Sequence, residues 1–117
     1  MSTQRGMAAE DLVARELEKN QFTIVTRNYS SRWGEIDLIA KQKNLLVFVE
    51  VKMRTKNYFD ACELITSAKQ AKIITTAKQF ISSHKYLDTS YRFDVALVDG
   101  SFEQHRITYI PDAFQEK

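Results

Sequence analysis

Three carboxylates and one ammonium interrupt an otherwise apolar pair of segments within this chain of 117 residues. Glu35 and Asp37 lie at the start of the first segment, and Glu50 and Lys52 lie at the end of the second. A charge removed from water without a partner costs several kcal/mol or more. Charged side chains at such positions therefore need a structural or a chemical reason.

The polar stretch KQKN separates the two segments and predicts a β-hairpin. Side chains alternate along a strand, so Glu35 and Asp37 share one face of the first strand, while Glu50 and Lys52 share one face of the second. In an antiparallel pair, the start of the first strand lies beside the end of the second. If the two faces coincide, we expect the three carboxylates and the ammonium to converge.

A convergence of this composition predicts a site for a divalent cation. The three negative charges outnumber the single positive charge, so the carboxylates repel one another. Either their pKa values rise or a cation binds. The oxygen ligands favour Mg²⁺ or Mn²⁺, and the two histidines and Cys62 have no zinc-like spacing. The alternative is a pair of salt bridges on a partly solvated face. We favour the metal site because two acids and a Glu-x-Lys meet at one edge of the hairpin.

The sequence predicts two helices and five strands as the elements that position these residues, in the order α-β-β-β-α-β-β. This order predicts an α/β fold with a mixed sheet flanked by helices. The helix between the third and fourth strands predicts that these two strands are parallel. The length predicts one domain, residues 1–117. The helices are predicted at 5–20 and 67–84, with Thr66 or Ser67 as the second N-cap, and the strands at 22–29, 35–40, 45–54, 91–98 and 106–110, the last stopped by Pro111.

Two acids outside the hairpin have alternative interpretations. Glu10 lies beside the apolar stripe of the first helix, where it either points into the acidic cluster or faces solvent. Asp94 lies in an apolar strand, and no spacing brings it to the charged end of the hairpin. For Asp94 we favour a structural bond to Arg92 or to a helix N-terminus. His84 and His105 are expected at a helix end and in a turn, in surface or capping roles.

The composition sets limits on the class of protein. A hydrophobic content of 44% and a charged content of 27% are ordinary for a globular protein. The net charge of +2 allows a nucleic-acid partner without requiring one. A single cysteine, no apolar run of bilayer length and no signal peptide predict a cytoplasmic protein without membrane contact. The small surface is compatible with a homodimer or a protein partner.

Four blocks of the sequence resemble the bacterial YraN-like family within the PD-(D/E)xK nuclease superfamily: GMAAEDLVARELEKNQF, NYSSRWGEIDLIA, LVFVEVKMR and YRFDVALV. Asp37, followed after a turn by Glu50-Val51-Lys52, matches the superfamily motif, and Glu10 matches its helical acid. Ile36 stands where the motif usually has proline. In size and in the helical acid, the chain is also similar to the Holliday-junction resolvases of archaea.

The resemblance implies a restriction-endonuclease-like fold and a nuclease that depends on Mg²⁺ or Mn²⁺. Its substrate would be the phosphodiester bonds of DNA, in preference to RNA, including branched DNA and repair intermediates. Asp37 and Glu50 would bind the metal with the Val51 carbonyl as a further ligand. Lys52 would activate the attacking water and balance charge on the transition state.

The same resemblance gives Glu10 and Glu35 supporting roles in catalysis, in which they would hold metal-bound waters or a second ion. It also includes Glu10 among the metal ligands. Two hypotheses of another kind remain open. In the first, the protein is a non-catalytic nucleic-acid-binding module that keeps the nuclease fold. In the second, it is a protein-interaction subunit whose acidic cluster is structural.

A nuclease must also hold its polyanionic substrate, and basic residues beside an acidic metal site would do this. Trp33 is predicted either to stack on an unpaired base or, more in keeping with an aromatic residue at a strand start, to join the core. Arg54 is the favoured phosphate ligand because it follows Lys52 along the strand. The full set of candidates is Arg32, Trp33, Arg54, Lys56, Lys69 and Lys72.

Overall fold

The computed structural model describes residues 4–53, 65–101 and 103–116, with side chains from residue 8 onward in the first helix. Arg54, Lys56 and Cys62 lie outside the described residues, so the substrate-binding roles expected of Arg54 and Lys56 remain predictions. The predicted order of elements is confirmed for the described chain. The elements are α1 (Gln4–Lys19), β1 (Thr23–Ser31), β2 (Gly34–Gln42), β3 (Leu45–Met53), α2 (Ser67–Ser83), β4 (Ser90–Gly100) and β5 (His105–Phe114).

The five strands form one mixed sheet in the order β1-β2-β3-β4-β5. The β3–β4 pair is parallel, as predicted, and the other three pairs are antiparallel. A parallel pair needs a long crossover, and α2 lies within the chain that connects these two strands. The structure is therefore a mixed α/β fold, with two helices among the residues it describes.

The helices cover opposite faces of the sheet because the apolar residues of the central strands alternate between two cores. Val13 and Leu17 of α1 pack with Val47 and Val49 in one core. The α2 residues Ile73, Ala77 and Phe80 pack with Phe48 and its neighbours in the other core. Neither helix that the structure describes has the length and apolar character needed to cross a membrane.

The ends of α2 show how local sequence defines its limits. Thr66 is the N-cap, and its side-chain oxygen accepts a hydrogen bond from the Lys69 backbone N–H at 3.1 Å. His84 is the C-cap, and its Nδ1 lies 3.1 Å from the Phe80 carbonyl oxygen. The Thr66 contact satisfies a backbone N–H that the helix start leaves unpaired, and the His84 backbone N–H donates to the same Phe80 carbonyl at 3.0 Å. The predicted capping role of His84 is therefore confirmed.

The fifth strand continues through Pro111, where the sequence predicted that it would stop. That prediction was wrong because β5 lies at an edge of the sheet, where a residue without an N–H need not break a ladder. The pairing of β5 with β4 also shifts register in this region. Asp112, next in the chain, has a positive φ of 54° and donates its N–H to Asp94 Oδ1 at 2.9 Å.

Asp94 is fully buried and joins β4 to β5. Its two carboxylate oxygens accept from Arg92 Nε at 2.8 Å and from an Arg92 terminal nitrogen at 3.0 Å. It also accepts hydrogen bonds from the Tyr109 hydroxyl and from the Asp112 N–H. Burial, and then the hydrogen bond to Asp94, raise the pKa of Tyr109. The structural role predicted for Asp94 is confirmed.

Replacing Asp94 by asparagine is expected to destabilise the protein by about 2 kcal/mol. The amide keeps the shape of the carboxyl group, but it cannot offer two charged acceptor oxygens to Arg92. Urea unfolding would measure the loss, with Asp88→Asn at an exposed turn position as the matched control. A loss no larger than that of the control would contradict the role of Asp94 as the buried link.

Candidate active site

The sheet forks between β2 and β3 at the point where the charged residues begin. The two strands pair from Gln42 and Leu45 as far as Leu38 and Val49, although both continue beyond that point. Past the fork, β2 pairs only with β1 and β3 only with β4 among the described residues. The fork leaves backbone groups of both strands in need of other partners.

Asp37 lies in this fork and replaces the missing backbone acceptor. Its Oδ2 accepts a hydrogen bond from the Val51 N–H at 2.8 Å. An acidic side chain is thereby held at a definite position between two diverging strands. The half-buried Val51 is positioned by the same bond, with its N–H directed toward Asp37.

Glu50 is the most buried acid of the fork, with 5% of its side chain exposed. Lys52, on the same face of β3, places its Nζ 3.9 Å from Glu50 Oε2. Burial, reinforced by the charge of Asp37, raises the pKa of Glu50 to about 7. Asp37, Glu50 and Lys52 therefore come together in the fork, whereas Glu35, the third carboxylate of the predicted convergence, is exposed and bonded to Ser30.

A cavity of about 390 Å³ opens over these acids, with the first turns of α2 as its opposite wall. Glu35 also lines the cavity; it is exposed and accepts a hydrogen bond from the Ser30 hydroxyl at 3.1 Å. A side chain at Gly34 would place its Cβ only 3.3 Å from Lys72 Cβ, so glycine lets β2 approach the helix closely. The lining residues are Gly34, Glu35, Asp37, Glu50, Thr66, Ala68, Lys69, Lys72 and Ile73.

Lys69 is a member of the cluster that the sequence analysis assigned only to substrate binding. Its Nζ lies 2.5 Å from Glu50 Oε2, closer than the Nζ of Lys52. Burial works to lower the pKa of Lys69, but the hydrogen bond and the charge of Glu50 together raise it. The pKa of Lys52 is lowered by burial and by the charge of Lys69. The crossover topology was the available signal, because it brings the start of α2 toward the end of β3.

Glu10 occupies a different environment. Its side chain is 6% exposed on α1, whose core lies on the other face of the sheet from α2. It is not among the residues that line the cavity. The solvated alternative considered for Glu10 is therefore wrong, and its participation in metal binding remains a prediction.

The donor set is better suited to a partly hydrated Mg²⁺ than to a metal enclosed by protein. Among the residues that the structure describes, no three His, Cys, Asp or Glu side chains are grouped closely enough to hold a metal. Mg²⁺ usually keeps several waters and binds one or two carboxylates together with substrate phosphates. Asp37 and Glu50 beside an open cavity fit that requirement.

The turn between β1 and β2 carries Arg32 and Trp33 next to the cavity-lining Gly34 and Glu35. Trp33 is 42% exposed, so the predicted core position for it was wrong. The tight turn projects the ring outward, and the Arg32 guanidinium carbon lies 4.9 Å from the ring centroid. An exposed aromatic ring and a cation are thus available at the rim of the cavity.

Comparison with known proteins gives a consistent result along most of the chain. The model of a family described as uncharacterised protein family UPF0102 matches residues 9–98. A UPF0102 protein of Nitrosomonas europaea is 40% identical over 113 residues, which cover 96% of this chain and 94% of that protein. A UPF0102 protein of Sulfurihydrogenibium sp. is 41% identical over 113 residues, covering 96% and 95%. One from Acinetobacter baumannii is 45% identical over 101 residues, covering 85% and 76%.

Proposed function

The chain belongs to the UPF0102 family, and we propose that it is a metal-dependent nuclease that hydrolyses phosphodiester bonds in DNA, with a fold of the restriction-endonuclease type. The observation that carries the proposal is the Asp37–Glu50 pair in the fork of the sheet, with Lys52 Nζ 3.9 Å from Glu50. A buried acid with a raised pKa, such as Glu50, beside a second acid and a lysine is typical of catalytic sites. The position of the pair beside an open cavity gives a substrate access to it.

Asp37 and Glu50 would hold Mg²⁺ or Mn²⁺, with waters and substrate oxygens completing the coordination. The resemblance to PD-(D/E)xK nucleases adds the Val51 carbonyl as a further ligand and Glu10 and Glu35 as supporting acids. When bound, the ion would supply a Lewis acid and a more acidic water. The hydrogen bond from Val51 to Asp37 would keep one ligand in place before the ion arrives, which lowers the entropy cost of binding.

Lys52 would act on the reacting phosphate. Its ammonium lies on the same face of β3 as Glu50 and is partly shielded from water. There it would orient the attacking water and balance the negative charge that grows on the phosphate oxygens. In the metal-free protein, burial and then the charge of Lys69 lower the pKa of Lys52.

Nucleic acid is the substrate class that best fits the rim of the cavity. Lys72 lines the cavity and is exposed. Arg32 is exposed in the β1–β2 turn, two residues before the cavity-lining Gly34. These cations would contact phosphates on either side of the scissile bond. The exposed Trp33 ring offers a stacking surface for an unpaired base, which favours branched or repair-intermediate DNA over an intact duplex.

The direct test is a cleavage assay with Mn²⁺ on matched branched, linear duplex and single-stranded DNA and RNA substrates. Cleavage that disappears on chelation and returns with Mn²⁺ would support the proposal. Binding of DNA without cleavage of any substrate would favour the non-catalytic module instead. Metal binding without DNA binding would favour the protein-interaction hypothesis.

Asp37→Asn is expected to stabilise the metal-free protein by about 1 kcal/mol and to abolish its stabilisation by Mg²⁺. Asparagine can still accept the Val51 N–H, whereas it removes the charge that raises the pKa of Glu50. Thermal unfolding with and without Mg²⁺ would measure both effects, with Asp88→Asn as the control. A metal-free variant that melts well below the wild type would indicate instead that the charge of Asp37 holds the hairpin together.

A further inference from the structure

One oxygen of Glu50 is shared by two lysines. Lys69 Nζ lies 2.5 Å from Glu50 Oε2, and Lys52 Nζ lies 3.9 Å from the same atom. Glu50 is almost completely buried, so one ammonium within ion-pair distance already compensates its charge. Asp37 brings a second negative charge that acts on both lysines, so the two carboxylates and the two ammonium groups balance while no cation is bound.

We propose that Lys69 alternates between two partners: it neutralises Glu50 when no divalent cation is bound, and it binds a phosphate of the nucleic acid once a cation has displaced it. The first half of the inference concerns the cluster alone. The second half rests on the function proposed above, since it requires a nucleic-acid substrate in the cavity.

Displacement follows from the charges around Glu50. A divalent cation bound to Asp37 and Glu50 would lie close to two ammonium groups, and like charges at such distances repel strongly. One ammonium must withdraw when the cation enters. Retaining both would cancel much of the attraction between the cation and the two carboxylates.

Lys69 is the lysine that can withdraw. Its side chain is 43% exposed, against 31% for Lys52, so it moves into water with less loss of buried contacts. It extends from the first turn of α2 across the cavity, whereas Lys52 extends from a central strand of the sheet. Release of Lys69 leaves Lys52 beside Glu50.

The released ammonium would remain at the cavity that the substrate enters. Lys69 and Lys72 both line this cavity and are separated by one helical turn on the same face of α2. A phosphate beside the bound cation lies within the reach of a lysine that was previously in contact with Glu50. Substrate would thus replace Glu50 as the anion that satisfies Lys69.

The experiment compares Lys69→Ala and Lys69→Met with the wild type. Methionine keeps most of the aliphatic stem, so it separates loss of charge from loss of packing. Lys69→Arg keeps the charge, and Lys78→Ala removes an exposed lysine of the same helix that pairs with Glu116 away from the cavity. Mg²⁺ affinity is measured by calorimetry at pH 8.5, where a proton competes little for Glu50. DNA affinity is measured in Ca²⁺ over a range of salt concentrations.

We expect both uncharged variants to bind Mg²⁺ roughly fivefold more tightly than the wild type, because the competing ion pair is gone. The same variants should bind DNA more weakly, with a slope of log affinity against log salt smaller in magnitude by roughly one. Lys69→Arg and Lys78→Ala should behave as the wild type does in the Mg²⁺ measurement. Opposite shifts in the two affinities would not arise from a merely structural lysine.

Unchanged or weaker Mg²⁺ binding in both uncharged variants would overturn the inference and leave the nuclease proposal intact. Unchanged DNA affinity would overturn it as well. A wild-type protein that binds no Mg²⁺ would overturn both the inference and the proposed function. The opposite shifts in a protein that cleaves none of the substrates would support the inference and remove the nuclease proposal.

Discussion

Replacing Lys52 by alanine is expected to lower DNA cleavage by at least roughly 10²- to 10³-fold. The ammonium lies 3.9 Å from Glu50 Oε2, where it would stabilise charge on the phosphate as the bond breaks. A stabilising charge placed in advance in a partly dry site contributes more than the same charge does in water. The loss should appear mainly in kcat, because the interaction strengthens as the transition state forms.

Metal binding distinguishes this role from a structural one. Lys52→Ala removes a positive charge from beside the carboxylates, so Mg²⁺ affinity should be unchanged or higher. Lys41→Ala, on β2 at the opposite end of the hairpin, is the matched control and should cleave at the wild-type rate. Wild-type cleavage by Lys52→Ala would show that Lys52 has no part in the reaction.

The metal-free protein is expected to lose about 3 kcal/mol of stability through Glu50 as the pH rises from about 4.5 to about 7. The pKa of Glu50 is raised to about 7 in the folded protein, from 4.5, so between these values the folded state binds more protons than the unfolded state. Stability therefore falls as the pH rises through this window. This direction is the reverse of that of an acid stabilised by a salt bridge.

Urea unfolding at pH 4.5 and at pH 8 would measure the effect as a difference between the wild type and Glu50→Gln. Glutamine resembles the protonated acid, so the two proteins should have similar stability at pH 4.5, and the variant should be the more stable at pH 8. Mg²⁺ at pH 8 should reduce the difference, since it stabilises the wild type. A variant that is less stable at pH 8 would mean that the ion pair with Lys69 outweighs the cost of burying Glu50.

Local sequence constraints are enough to predict the hairpin and the meeting of Asp37, Glu50 and Lys52. Strand alternation placed Glu35 with Asp37 and Glu50 with Lys52, and the polar turn made the strands antiparallel neighbours. These constraints are local, because a strand has a period of two and a short turn permits few registers. The parallel β3–β4 pair followed equally from the length of the connection between the strands.

How this hairpin becomes a site depends on packing between elements that are far apart in the sequence. The contact of Lys69 with Glu50 and the burial of Glu10 depend on where α1 and α2 pack, which the pattern of one element does not specify. The exposure of Trp33 and the passage of β5 through Pro111 likewise depend on which strand lies at an edge and where a turn projects. Periodicity identifies the face that an element buries, whereas the neighbours across that face are set by packing between segments far apart in sequence.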